Sequence, residues 1–184
     1  MTPDFRPAPL LRRLFALAYE SLLVGAVGML AMLLVGALQT LLQHRFPALL
    51  PAVAPFAALL LLGAWWLYFK LNWLRESQTL PMRVWQIGLS AADGSRPTLP
   101  RLRVRFAWAC VLLLFVPLAA YAAFRHAGIA PRTAFFAALL WWILPWGFAL
   151  LNPQRQFLYD YLAGTRLEDK RAVSGSPPKN KETS

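Results

Sequence analysis

The sequence predicts an all-α membrane protein with four transmembrane helices. Two sets of numbers lead there: 58% of the 184 residues are apolar, and only 15% are charged, with 19 Lys+Arg against 8 Asp+Glu. A soluble basic domain of this length cannot bury so much apolar surface, and a disordered chain would not carry it. A nucleic-acid partner is therefore not expected, although the formal charge is +11.

A bilayer core about 30 Å thick takes roughly 20 apolar residues in a helix, which satisfies its own backbone hydrogen bonds. Four stretches qualify: 14–42, 51–69, 106–124 and 133–151. The last three are free of charge; the first contains Glu20 and is long enough to tilt. Sixteen of the 19 basic residues fall in the N-terminal segment, the 70–105 loop or the tail, and only Arg45, Arg125 and Arg132 fall in the other two loops. By the positive-inside rule both termini and the long loop are cytoplasmic, facing a bilayer with anionic headgroups. Trp65, Trp66, Tyr68 and Trp73 crowd the inner end of the second span, as interfacial aromatics do. Arg12-Arg13-Leu14-Phe15 faintly resembles a twin-arginine export signal, but the apolar stretch is too long for one and contains an acid.

Between spans 2 and 3, residues 82–89 alternate so that Trp85, Ile87 and Leu89 share one side, and Asp93-Gly94 is a favoured turn pair followed by a short run to Leu99. This predicts a small cytoplasmic β-hairpin. After span 4, Asn152-Pro153 has the form of a helix start and Gly164 of a stop, with Phe157, Leu158, Tyr161 and Leu162 on one face. An interfacial amphipathic helix is expected there. The domain is placed at 8–167, and residues 168–184, nearly free of large apolar side chains, are expected to be a disordered cytoplasmic tail.

Polar groups are costly in lipid and call for a partner. Glu20 follows Arg13 by seven residues, two helical turns, with the small Ala16 between them. Ser21, Gly25 and Gly28 continue a strip that admits a second helix. Asp160 stands five residues after Arg155, a poor helical pairing distance, so its expected partner is Arg13 or Arg105. Arg13, Glu20, Asp160 and Arg105 form the candidate charge cluster, either a structural set of ion pairs or a protonatable site. Pro117 and Pro145 free carbonyls near Leu113 and Trp141, and the Trp141, Trp142, Trp146 cluster reads as packing.

Other chemistry is not expected. Cys110 is the single cysteine, His44 and His126 are isolated, and no phosphate loop, nucleophile elbow or zinc-hydrolase motif occurs. Neither a metal, a cofactor nor an enzymatic activity is predicted.

Arg13, Ala16 and Glu20 on the first span, SQTLPMRVWQIGLSAADGSRPT in the loop, Arg105, and RQFLYDYLAGT in the tail together resemble the RDD family of bacterial membrane proteins. That family is named for an arginine and two aspartates, whose counterparts are Arg13, Glu20 and Asp160. Glu20 replaces the first aspartate, and Ser77 and Pro81 depart from the loop pattern. The resemblance implies an integral protein of the bacterial inner membrane, with transport proposed for the group and cation/proton exchange for some members. A transport role for so few spans implies a homo-oligomer and a small cation as partner. The alternative is a non-transporting scaffold or assembly factor.

Overall fold

The computed structural model describes residues 7–171. The chain divides into two compact units, one of residues 14–85 and one joining the N-terminal residues through 13 to those from 86 onward. Four helical stretches are long and apolar enough to cross a membrane, Leu10–Arg45, Pro47–Val84, Leu99–His126 and Pro131–Leu151, and they contain the four expected spans.

The first unit is built on α1 (Leu10–Arg45) and α2 (Leu50–Glu76). At 1.5 Å per residue, the 36 residues of α1 extend well beyond a bilayer core. Close approach of the two helices rests on Gly28, where an added Cβ would sit 3.4 Å from Leu61 and 3.7 Å from Trp65, and on the Trp65 indole N–H, which donates to the Val24 carbonyl at 3.0 Å. Of the predicted small-residue strip, Gly28 is thus the member that meets α2. Ser77 ends α2 in the left-handed region, φ 52°, donating its backbone N–H to Trp73. A short α3 (Leu80–Val84) follows, with Thr79 at its N-cap and a proline in its first turn. The apolar side chains Leu22 and Met29 are 73% and 77% exposed, as lipid-facing residues of a membrane span are.

The second unit contains a two-stranded antiparallel sheet, β1 (Ile87–Ala91) and β2 (Thr165–Asp169), and the last two spans. The register runs from Ile87 opposite Asp169 to Ala91 opposite Thr165. This corrects the predicted hairpin. Residues 82–84 belong to α3, and Asp93-Gly94 does turn the chain, with Gly94 at φ 81°, but into a helix. Pro97 lacks a ladder donor, and Thr98 with Pro100 starts α4 (Leu99–Cys110). The strand partner comes from the tail instead. Pro7 forms an isolated bridge with Glu168, and the Ala8 N–H donates to the Leu167 carbonyl at 3.2 Å, so β2 lies between β1 and the N-terminal segment.

Span 3 continues from α4 through a π-helical segment, Val111–Phe115, into α5 (Val116–His126). Span 4 comprises α6 (Pro131–Leu139), a 3-10 segment at Leu140–Trp142, and α7 (Ile143–Leu151). The predicted interfacial helix shrinks to α8 (Leu158–Leu162). Asn152 terminates α7 rather than starting a helix: its side-chain oxygen accepts the Gln154 N–H at 2.9 Å, and Arg155 at φ 51° turns the chain. The four apolar residues do not share one exposed face, since Phe157 is buried and Tyr161 and Leu162 are exposed. Gly164 does stop the helix, at φ 63°. Glu168 and Asp169, predicted to open a disordered tail, complete β2, and positions 172–184 lie outside the described residues.

Candidate functional site

Three of the four predicted charges meet in the second unit. Asp160 on α8 is fully buried, and its Oδ1 accepts from Arg105 Nε at 2.6 Å and from Thr165 Oγ1 at 3.2 Å. Arg105 comes from the second turn of α4, and its guanidinium stands 5.5 Å from the centre of the Tyr159 ring. Arg13, 2% exposed, donates to the Arg155 carbonyl and, at 3.0 Å, to the Leu167 carbonyl, within electrostatic reach of Asp160. The left-handed turn at Arg155 and strand β2 place these two carbonyls.

Around the ion pair lies a shell of neutral groups. Thr165, also fully buried, places its hydroxyl between the backbone and side-chain oxygens of Asp160, while Gln156 donates to the Thr165 carbonyl at 2.8 Å. Asn152 in turn donates to Gln156 at 3.1 Å. At the outer edge Arg12 pairs with Asp169. Burial pulls the Asp169 carboxyl upward, but the hydrogen bonds from Arg12 and the Arg171 N–H outweigh it and hold the group below the usual carboxylate range. The arrangement joins the N-terminal turn of α1, α4, α8 and β2 through charge-assisted bonds. It suits holding, because the acid is shut from solvent and already engaged by a guanidinium.

Glu20 belongs to the other unit. Its Oε1 accepts from the Tyr68 hydroxyl at 2.7 Å, and its Oε2 from the Thr79 hydroxyl. Thr79 is 1% exposed, and the Tyr68 main chain is tied to Asn72, whose amide donates to the Tyr68 carbonyl at 2.8 Å. Stacked rings at Phe15 and Trp85, 5.1 Å apart, and at Phe69 and Trp73, 4.8 Å apart, flank this region. The chemistry here differs from that at Asp160. Hydroxyl groups donate to a carboxylate and accept from a carboxylic acid, so they can serve either protonation state.

The expected pairing of Asp160 with Arg105 is thus found, and Arg13 faces main-chain carbonyls. Tyr68, Thr79, Thr165 and Gln156 were not among the predicted site residues. Tyr68 reads as an interfacial aromatic, and a signal for Thr79 exists in Thr-Leu-Pro, an N-cap position before a first-turn proline, although its hydroxyl goes to Glu20 and not to the N–H groups of the helix. Among the described residues no group of three or more His, Cys, Asp or Glu is arranged to hold a metal ion.

A family model described as the RDD family matches residues 7–164. Comparison with curated proteins and with solved structures gives no match.

Proposed function

Because the chain belongs to the RDD family, a family of membrane proteins, we propose that it works in the bacterial inner membrane as a small exchanger that trades a proton for a small cation at Glu20. In this reading the four spans place both termini and the 70–105 loop in the cytoplasm, as the concentration of 16 of the 19 basic residues on those segments supports. Exposed Arg96, Arg103, Lys170 and Arg171 meet anionic headgroups. The carrying observation is the Glu20 carboxylate on an apolar span, with a hydroxyl donor on each oxygen.

The exchange is balanced at one group. A protonated Glu20 releases its proton as the cation binds the carboxylate, and the reverse step expels the cation, so each cycle moves one charge each way. Tyr68 and Thr79 hold the ionised form as donors and add their oxygens to the cation's ligands. No chemical transformation and no cofactor are involved. Four spans per chain make a homo-oligomer the expected working form. Asp160, engaged by Arg105, is assigned to architecture.

One observation favours the scaffold reading: the buried Arg13, Arg105 and Asp160 all bind within or onto the segment that includes β2, an arrangement suited to holding a docking element. Proteoliposomes separate the two. Cation-driven proton flux that disappears in Glu20→Gln and partly survives in Glu20→Asp supports exchange; a wild-type protein that reconstitutes well yet moves no proton supports the scaffold.

A further inference from the structure

Spans 3 and 4 both change helix type partway along, and both do so just before a proline. In span 3 the Val116 N–H reaches back five residues to Val111. The next donor in that register is residue 117, a proline, so the Leu112 carbonyl loses its helical partner. The Leu113 carbonyl, four residues before Pro117, loses its α-helical partner for the same reason. Span 4 supplies both missing donors: Trp141 Nε1 donates to the Leu112 carbonyl at 2.8 Å and Trp142 Nε1 to the Leu113 carbonyl at 3.0 Å. The segment holding these two indoles is the 3-10 turn Leu140–Trp142, and Pro145 removes the donor that would return to Trp141. The tryptophans are therefore more than packing.

On either side of this level the helices are firmly tied. At one end α5 and α6 are closed by a tight turn, with Ala127 donating to Ala123 at 3.0 Å, Ile129 to Phe124 at 3.0 Å, and the Arg125 side chain to the Ile129 carbonyl at 2.7 Å. At the other, α4 and α7 both pack on α8, and the Arg105–Asp160 pair joins α4 to it. The α5–α6 hairpin is thus linked to the rest of the unit by two chain crossings, and both are irregular backbone.

We infer that this level is a two-point hinge, about which the α5–α6 hairpin bends against the body formed by α4, α7, α8 and the sheet. An axis through two joints confines the motion to one direction. Irregular backbone in lipid is tolerable only when its polar groups are satisfied, which is what the indoles do. Side-chain donors follow a moving carbonyl by small rotations, as a main-chain N–H fixed in a helix cannot. A spare donor is also present: Trp146 Nε1 is buried without a partner among the described residues, and its ring lies 5.2 Å from that of Trp142. The hinge stands whether or not Glu20 exchanges cations.

The test uses the full-length protein in nanodiscs with Cys110→Ser and spin labels at Ala127→Cys and Arg103→Cys, which straddle the joint. A broad distance distribution is expected, and it narrows in Pro117→Ala, which restores the main-chain donor. Trp141→Phe with Trp142→Phe should speed amide exchange over residues 113–120 about tenfold, and by much less when Pro117→Ala is also present. If the double tryptophan variant does not fold, the narrowing in Pro117→Ala alone decides. A distribution that is the same with and without Pro117, or a tryptophan effect that ignores it, overturns the hinge.

Discussion

Asp160 is fully buried, with the Arg105 Nε 2.6 Å away, so neutralising it takes the counter-charge from a guanidinium that is only 8% exposed. Asp160→Asn should cost about 3–5 kcal/mol, read as a lower thermal midpoint in detergent, whereas Thr165→Val, which removes the hydroxyl shared between the backbone and carboxylate oxygens of Asp160 but leaves the ion pair, should cost about 1–2 kcal/mol. The Arg12–Asp169 pair behaves differently because it is partly open to solvent. Since the Asp169 carboxyl is held below its ordinary range, the pair stabilises the fold above the unfolded carboxylate value near pH 4 and loses that contribution as pH falls through the folded one. Amide exchange at β2 should therefore be flat from neutral pH to about pH 5, after correction for intrinsic rates, and rise below about pH 4. Asp93 is an exposed counterpart: the Ser95 hydroxyl and N–H, followed by Arg101, lower its carboxyl to about 2. At this scale the charges were legible as outliers in apolar sequence. Their neutral partners were not, because a threonine or glutamine carries no such contrast.

Strand pairing is the element-scale lesson. Alternation in residues 82–89 and the Asp93-Gly94 turn are local signals, and locally they describe a hairpin. The actual partner of β1 begins 74 positions after the last residue of that strand, in Thr165–Asp169, and no local pattern specifies a pairing over such a distance. Register makes the pairing testable. The Lys170 N–H donates to the Gln86 carbonyl at 3.0 Å, which places Leu89 and Leu167 in a non-hydrogen-bonded pair, with Cα atoms about 4.5 Å apart. Leu89→Cys with Leu167→Cys, in a Cys110→Ser background, should form a disulfide under mild oxidation, seen as a mobility shift on gels. The hairpin that the loop alone suggests would leave both thiols free.

For the molecule as a whole, composition and charge distribution were the most informative features, since the apolar stretches recur as four helices able to span a bilayer. Their irregular segments were partly legible: Pro117 and Pro145 mark where carbonyls are freed, but which side chain fills them depends on how spans 3 and 4 pack. The same limit applied to the charges. Arg13 and Glu20 lie two turns apart in sequence, yet they belong to different compact units, Arg13 with Asp160 and Arg105, and Glu20 with Tyr68 and Thr79. The proposed division of labour assigns exchange to Glu20 and architecture to Asp160. Its consequence is asymmetric: Glu20→Gln should retain the fold and lose flux, while Asp160→Asn should lose stability first. The most direct measurement is cation-driven proton flux in proteoliposomes holding equal amounts of folded wild type and Glu20→Gln. The account predicts flux in the former and none above protein-free vesicles in the latter; equal flux in the two would contradict it.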